Sequence, residues 1–244
     1  MADASGEPFQ GSKAWQGKRQ TQLLAIGLGV LPLYGILIIL EILGGPSLSL
    51  RSFVVYLAVI CPLSLGVALL VLQFICGESP RTLNLRSGGL FADLLGALVL
   101  SCVTLAAGVV ATSLLSALFP QAASGTSIRE LFKGLAGNPG LLALFLGLLM
   151  PLGAASEEVI RVFLLSRLWK MWPGAPGKAF AVVLSAGLFG LLHLYHGPVA
   201  IVWTALYGLI MALYYLRFGR VLPMILSHYL TNALQVIIAA GLAR

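Results

Sequence analysis

Acid is scarce in this chain. Only eight Asp and Glu residues stand among 244, and beyond Asp3 the sole aspartate is Asp93, which excludes chemistry that needs a pair of aspartates. Charged residues of both signs make up 9% of the chain, so no stretch is long and polar enough for even one water-soluble domain. The three cysteines, Cys61, Cys76 and Cys102, lie in or at the ends of apolar segments without metal-type spacing. Neither a disulfide framework nor a cysteine zinc motif follows from them. Gly-x-Ser-x-Gly and His-Glu-x-x-His are absent, which removes the serine elbow and the usual zinc-protease helix. The net charge of +7 is not gathered into a run or stripe. The basic residues sit in short loops between apolar segments, the pattern of membrane topology signals, so no nucleic-acid partner is expected.

What is present is apolar length. Hydrophobic residues make up 59% of the chain and the mean hydropathy is +0.99. Runs near the roughly 20 residues that cross a bilayer as a helix recur along it. They predict an all-α, multi-pass transmembrane bundle of about seven spans, at 23–43, 53–75, 90–118, 140–168, 178–195, 199–216 and 221–242. Residues 1–20 read as a disordered N-terminal segment, 21–139 as accessory transmembrane helices and 140–244 as the helical core that carries the chemistry. The first apolar run is a full span long, which predicts an uncleaved helix rather than a signal peptide. The loop 119–139 has room for a short surface helix, and the very short loops near the C-terminus make the final three spans antiparallel neighbours.

Loop charge orients the bundle. With the N-terminus inside, the inner segments hold Lys13, Lys18, Arg19, Arg81, Arg86, Arg167, Lys170, Lys178, Arg217 and Arg220. The outer ones hold Arg51, Arg129, Lys133 and Arg244. The excess predicts a cytoplasmic N-terminus, with a bacterial plasma membrane as the expected location and membrane lipid as an obligate partner.

Against this background a few polar side chains stand out inside the last four spans: Glu157, Glu158, Arg161, His193, His228 and Asn232. A charge at membrane depth costs roughly 2.5–3.5 kcal/mol on insertion scales, so such residues line a polar interior or a site. On a helix Glu157–Arg161 is an i,i+4 pair and Glu158–Arg161 an i,i+3 pair, so one arginine reaches either carboxylate. One glutamate would complete a structural ion pair; the second asks for a further partner. Gly187 and Gly190 would let a neighbouring helix approach His193 closely, and His196 is expected to cap the end of that span. His228 and Asn232 share one face of the last span and suit two donors aimed at one oxyanion. At 1.5 Å per residue, Glu157 lies about 20 Å from Lys170, His193 about 22 Å from Lys178, and His228 and Asn232 about 12 and 18 Å from Arg220. The groups can therefore meet at similar depth, given that span four overhangs the outer face.

Glu157-Glu158-x-x-Arg161, Phe189-x-x-x-His193 and His228-x-x-x-Asn232, in this order on three helices, resemble the motifs of the CAAX protease and bacteriocin-processing (CPBP, or Abi) family of intramembrane proteases. The resemblance covers about residues 140–236. It implies hydrolysis of a peptide bond near the membrane, with a prenylated C-terminus or a bacteriocin-like or signalling peptide as substrate. It implies too that the first glutamate and the histidine of the second motif activate water, while the third motif binds the oxyanion. The family places three residues between its glutamate pair and the arginine, and this chain has two. Alignment on Arg161 would put Ser156 and Glu157 at the pair; alignment on the glutamates keeps Glu157 and Glu158, so the equivalent of the first glutamate is Glu157 or Ser156. A metal variant of the same site would bind zinc through Glu157 or Glu158 with His193 and His228. The rivals from other classes are a non-catalytic scaffold or bacteriocin-immunity protein of the same fold, and a proton-coupled transporter. The transporter is disfavoured because no internal repeat is visible.

Overall fold

In the computed structural model the chain is a bundle of helices, described for residues 13–44, 49–85, 88–120, 132–135, 137–194, 197–239 and 241. Among the described residues the long helices are α1 (Lys13–Gly44), α2 (Leu50–Ile75), α3 (Leu90–Leu118), α4 (Pro139–Met171), α5 (Ala175–Leu191), α6 (Pro198–Phe218) and α7 (Leu222–Ala239). Helices α2, α3, α4, α6 and α7 are long and apolar enough to cross a membrane, and α5 is a shorter apolar helix. The all-α, multi-pass architecture is as expected from the run lengths. Its first helix begins at Lys13, so residues 13–20 extend a helix rather than belonging to a disordered segment. Polar side chains do not break a helix, and the one proline in α1, Pro32, lies well past them. The expected surface helix in 119–139 and the capping role of His196 fall largely on residues outside the described ones.

Helix α4 is the axis of the bundle. Its middle, from Ser156 through Leu165, is buried on every side. Helices α1 and α2 pack on one flank, α5 and α7 on the other, while α6 pairs with α5 and α3 packs on α6 and α7. The ends are set by local chemistry. Gly197 at φ +88° precedes Pro198, which opens α6. Gly219 at φ +64° ends α6 in a left-handed cap, its N–H donating to the carbonyl of Tyr215 at 2.8 Å.

Two prolines shape the helices from within. Pro62 in α2 and Pro151 in α4 each follow a five-residue π-helical turn, Tyr56–Ile60 and Phe145–Leu149. Proline lacks the N–H that would close an ordinary turn, and its ring crowds the carbonyl four residues back. A widened turn just before it relieves that crowding, and π-turns gather at functional sites.

One end of the bundle is clamped by ion pairs. Arg167, buried in α4, holds Glu78 with both Nη atoms at 2.7 Å, and Lys170 adds a third contact at 2.5 Å. Arg220 pairs with the buried Asp93, and Asn84 donates to the carbonyl of Gly219. All these residues come from segments that the charge pattern places on one side of the membrane.

Candidate active site

Glu157 and Glu158, adjacent in α4, point to different partners. Glu158 is fully buried and receives Nε of Arg161 at 2.9 Å and Nη2 at 3.2 Å, a two-pronged pair across one helical turn. Its Oε1 also lies 2.8 Å from Nδ1 of His228 in α7. A ring nitrogen that close to a carboxylate oxygen donates its proton, so both oxygens of Glu158 are engaged, by Arg161 and His228 together. Glu157 turns towards α2, where the hydroxyl of Tyr56 donates to its Oε1 at 2.7 Å. Its Oε2 is buried with no hydrogen-bond partner among the described residues and stands 3.8 Å from Nε2 of His228. That separation is too long for a direct hydrogen bond and too short for a water to stand in line between the two atoms. Ser156, the other candidate for the first position of the motif, turns back on its own helix. Its hydroxyl donates to the carbonyl of Leu152 at 2.8 Å, within its own helix.

Phe189 joins the three motifs through its ring. The guanidinium carbon of Arg161 lies 3.9 Å from the ring centroid. The His193 ring is 4.9 Å away, and the His228 ring stands edge-on at 5.8 Å. Tyr207 of α6 stacks on the same ring at 5.8 Å and touches His228 at 5.3 Å. Arg161, Phe189 and His228 are thus one packed unit, with His193 at its edge.

His193 lies just past the end of α5 and not within a helix as expected. Helix α5 stops at Leu191, and Leu192 and His193 form a turn, closed by the N–H of His193 to the carbonyl of Gly190 at 3.0 Å. Its Nδ1 lies 3.0 Å from the carbonyl of Phe189. A helix of 17 residues spans about 26 Å, less than the roughly 30 Å hydrocarbon core. Close approach of α5 and α6 rests on Gly190, where a methyl group would stand 2.7 Å from the carbonyl oxygen of Ile201; Gly187 faces open space. Asn232 is half-buried one turn beyond His228 and lies outside the hydrogen-bonded set around the glutamates.

Sequence reasoning missed Tyr56. A tyrosine in an apolar span gives no local signal, and its partner Glu157 lies 101 positions away.

Among the described residues no group of three or more His, Cys, Asp or Glu side chains is arranged to hold a metal ion. Glu158 is engaged by a guanidinium and an imidazole N–H, so a cation there would have to displace both. Of the two expected zinc sets, the one that uses Glu158 is therefore already engaged in this arrangement.

No curated protein and no solved structure matches the chain. Residues 138–234, from the start of α4 into α7, match the type II CAAX prenyl endopeptidase Rce1-like family, the CAAX-protease family that the three motifs resemble.

Proposed function

We propose that the protein is an intramembrane endopeptidase that hydrolyses a membrane-anchored peptide with a water activated by Glu157. The observation that carries this reading is the division of labour between the two glutamates. Glu158 is consumed by Arg161 and His228, whereas Oε2 of Glu157 is left facing Nε2 of His228 at 3.8 Å. A water admitted beside these two atoms as substrate binds gives its proton to Oε2 of Glu157, and its oxygen bonds to the peptide carbonyl carbon. Glu157 then returns the proton to the leaving nitrogen as the C–N bond breaks.

Glu158 and Arg161 fix His228. The Nδ1–H bond to the Arg161-paired carboxylate holds the ring plane and points Nε2 at the water. His228 thus takes a share in holding that water, which the resemblance alone assigned to His193. Asn232, on the same face of α7, and His193, at the end of α5, are assigned to the carbonyl oxygen as it gains charge. No step needs a metal ion. The family match and the depth of the site support a substrate at the membrane; a prenylated C-terminal peptide is the form that the family's description names. The clustering of inner-loop residues around Glu78, Arg167 and Arg220 supports a cytoplasmic N-terminus.

Purified protein incubated with membrane-anchored and prenylated peptides should release a C-terminal fragment, and Glu157→Gln should abolish release without loss of protein. A scaffold or immunity protein would keep its biological activity in Glu157→Gln and His193→Ala variants.

A further inference from the structure

We infer that Tyr56, in a helix outside the family-matched segment, is a positioning residue that holds Glu157 in its working rotamer. The inference rests on the peptidase reading of the site. Glu157 has two places to go. Arg161 is four residues on along the same helix, within reach, and its Nη1 is buried without a hydrogen-bond partner among the described residues. Left alone, Glu157 would swing onto that nitrogen, and both glutamates would end in one ion cluster with no base facing His228. The hydroxyl of Tyr56 prevents this by donating to Oε1 at 2.7 Å from the opposite side, which leaves Oε2 towards His228.

Tyr56 is built to hold that position. It begins the π-turn ahead of Pro62, and its ring is stacked on Phe53 at 6.0 Å. Phe53 in turn stacks at 6.1 Å on Phe145, the first residue of the π-turn in α4. The neighbouring Leu57 fits against Gly153, one turn before Glu157, where a methyl group would stand 2.5 Å from Leu57 Cδ2. The two helices are therefore in contact at the level where the hydroxyl meets the carboxylate. A tyrosine serving only as packing would not need its hydroxyl, so phenylalanine isolates the role.

Tyr56→Phe, in the full-length protein, should lower kcat by about 10- to 100-fold, the weight of one hydrogen bond to a charged group. KM should stay within about twofold, and the thermal midpoint should hold because Glu157 gains Arg161 in exchange. Unchanged kcat, or a loss accompanied by a lowered midpoint, would overturn the inference. A second readout does not depend on turnover. Infrared difference spectra against Glu157→Gln isolate the Glu157 carboxyl band, which should shift in Tyr56→Phe; an unmoved band overturns the inference. Should the wild-type protein cleave no peptide, the peptidase reading falls, while the infrared comparison still decides whether Tyr56 sets the state of Glu157.

Discussion

The guanidinium of Arg161 rests directly on Gly208: a methyl group at that glycine would stand 2.7 Å from Nη1. The same methyl would meet Phe189 Cβ at 3.2 Å and the Cα of Ala186 at 3.3 Å. Arg161 is held from below by Glu158 and from above by the Phe189 ring, so it has little room to yield. Gly208→Ala should therefore destabilise the protein by about 1–3 kcal/mol, as overpacking does, and should reduce peptidase rate by displacing Arg161. Thermal unfolding in detergent and an activity assay on the same preparation check both effects.

Arg161→Met should be worse. It leaves Glu158 buried with only His228, and breaking one side of a buried pair costs about 3–5 kcal/mol. Adding Glu158→Gln to Arg161→Met should recover part of that stability, because the orphaned charge is gone, but should not restore activity. A double variant less stable than Arg161→Met would contradict this account of the pair.

Glu78 predicts a pH dependence away from the site. Burial raises its carboxyl, but the hydrogen bonds and charges of Arg167 and Lys170 outweigh this and hold it at about 2, below its ordinary 4.5. A depressed carboxylate contributes stability that is fully present above 4.5 and is lost as pH falls towards 2. The thermal midpoints of wild type and Glu78→Gln should differ by a constant amount near neutral pH and converge across that acid window. A gap that persists at the acid end would show that Glu78 is not held as described.

Metal removal is a direct test of the proposed chemistry. With Glu158 taken by Arg161 and His228, a chelator such as phenanthroline should leave the peptidase rate within about twofold. Loss of activity that zinc restores would replace the water-and-glutamate scheme by a metal one.

Much of this was legible in the chain itself. Spans follow from apolar length, and Gly197-Pro198 and Gly219 mark helix ends by backbone chemistry, so α6 falls within two residues of expectation. That Arg161 pairs with one of the two glutamates was legible too, because three or four residues on a helix is one turn. Three features were not. Helix α5 ends at Leu191, several residues ahead of Gly197-Pro198, and its cap residue Leu192 keeps a right-handed backbone at φ −61°, so no left-handed residue marks the end. Tyr56 depends on a contact across 101 positions, which no periodicity encodes. The choice of Glu157 for Tyr56 and Glu158 for Arg161 depends on which helix flanks each side of α4, a property of the assembled bundle.

In the proposed mechanism Glu157, and not Glu158, takes the proton from water. The most direct measurement is the single-turnover rate on a membrane-anchored peptide for wild type, Glu157→Gln and Glu158→Gln, each matched for folded protein by thermal unfolding. Glu157→Gln should fold and show no cleavage above background, while Glu158→Gln should be less stable and keep measurable turnover. Cleavage by Glu157→Gln at a rate near that of the wild type would contradict the account.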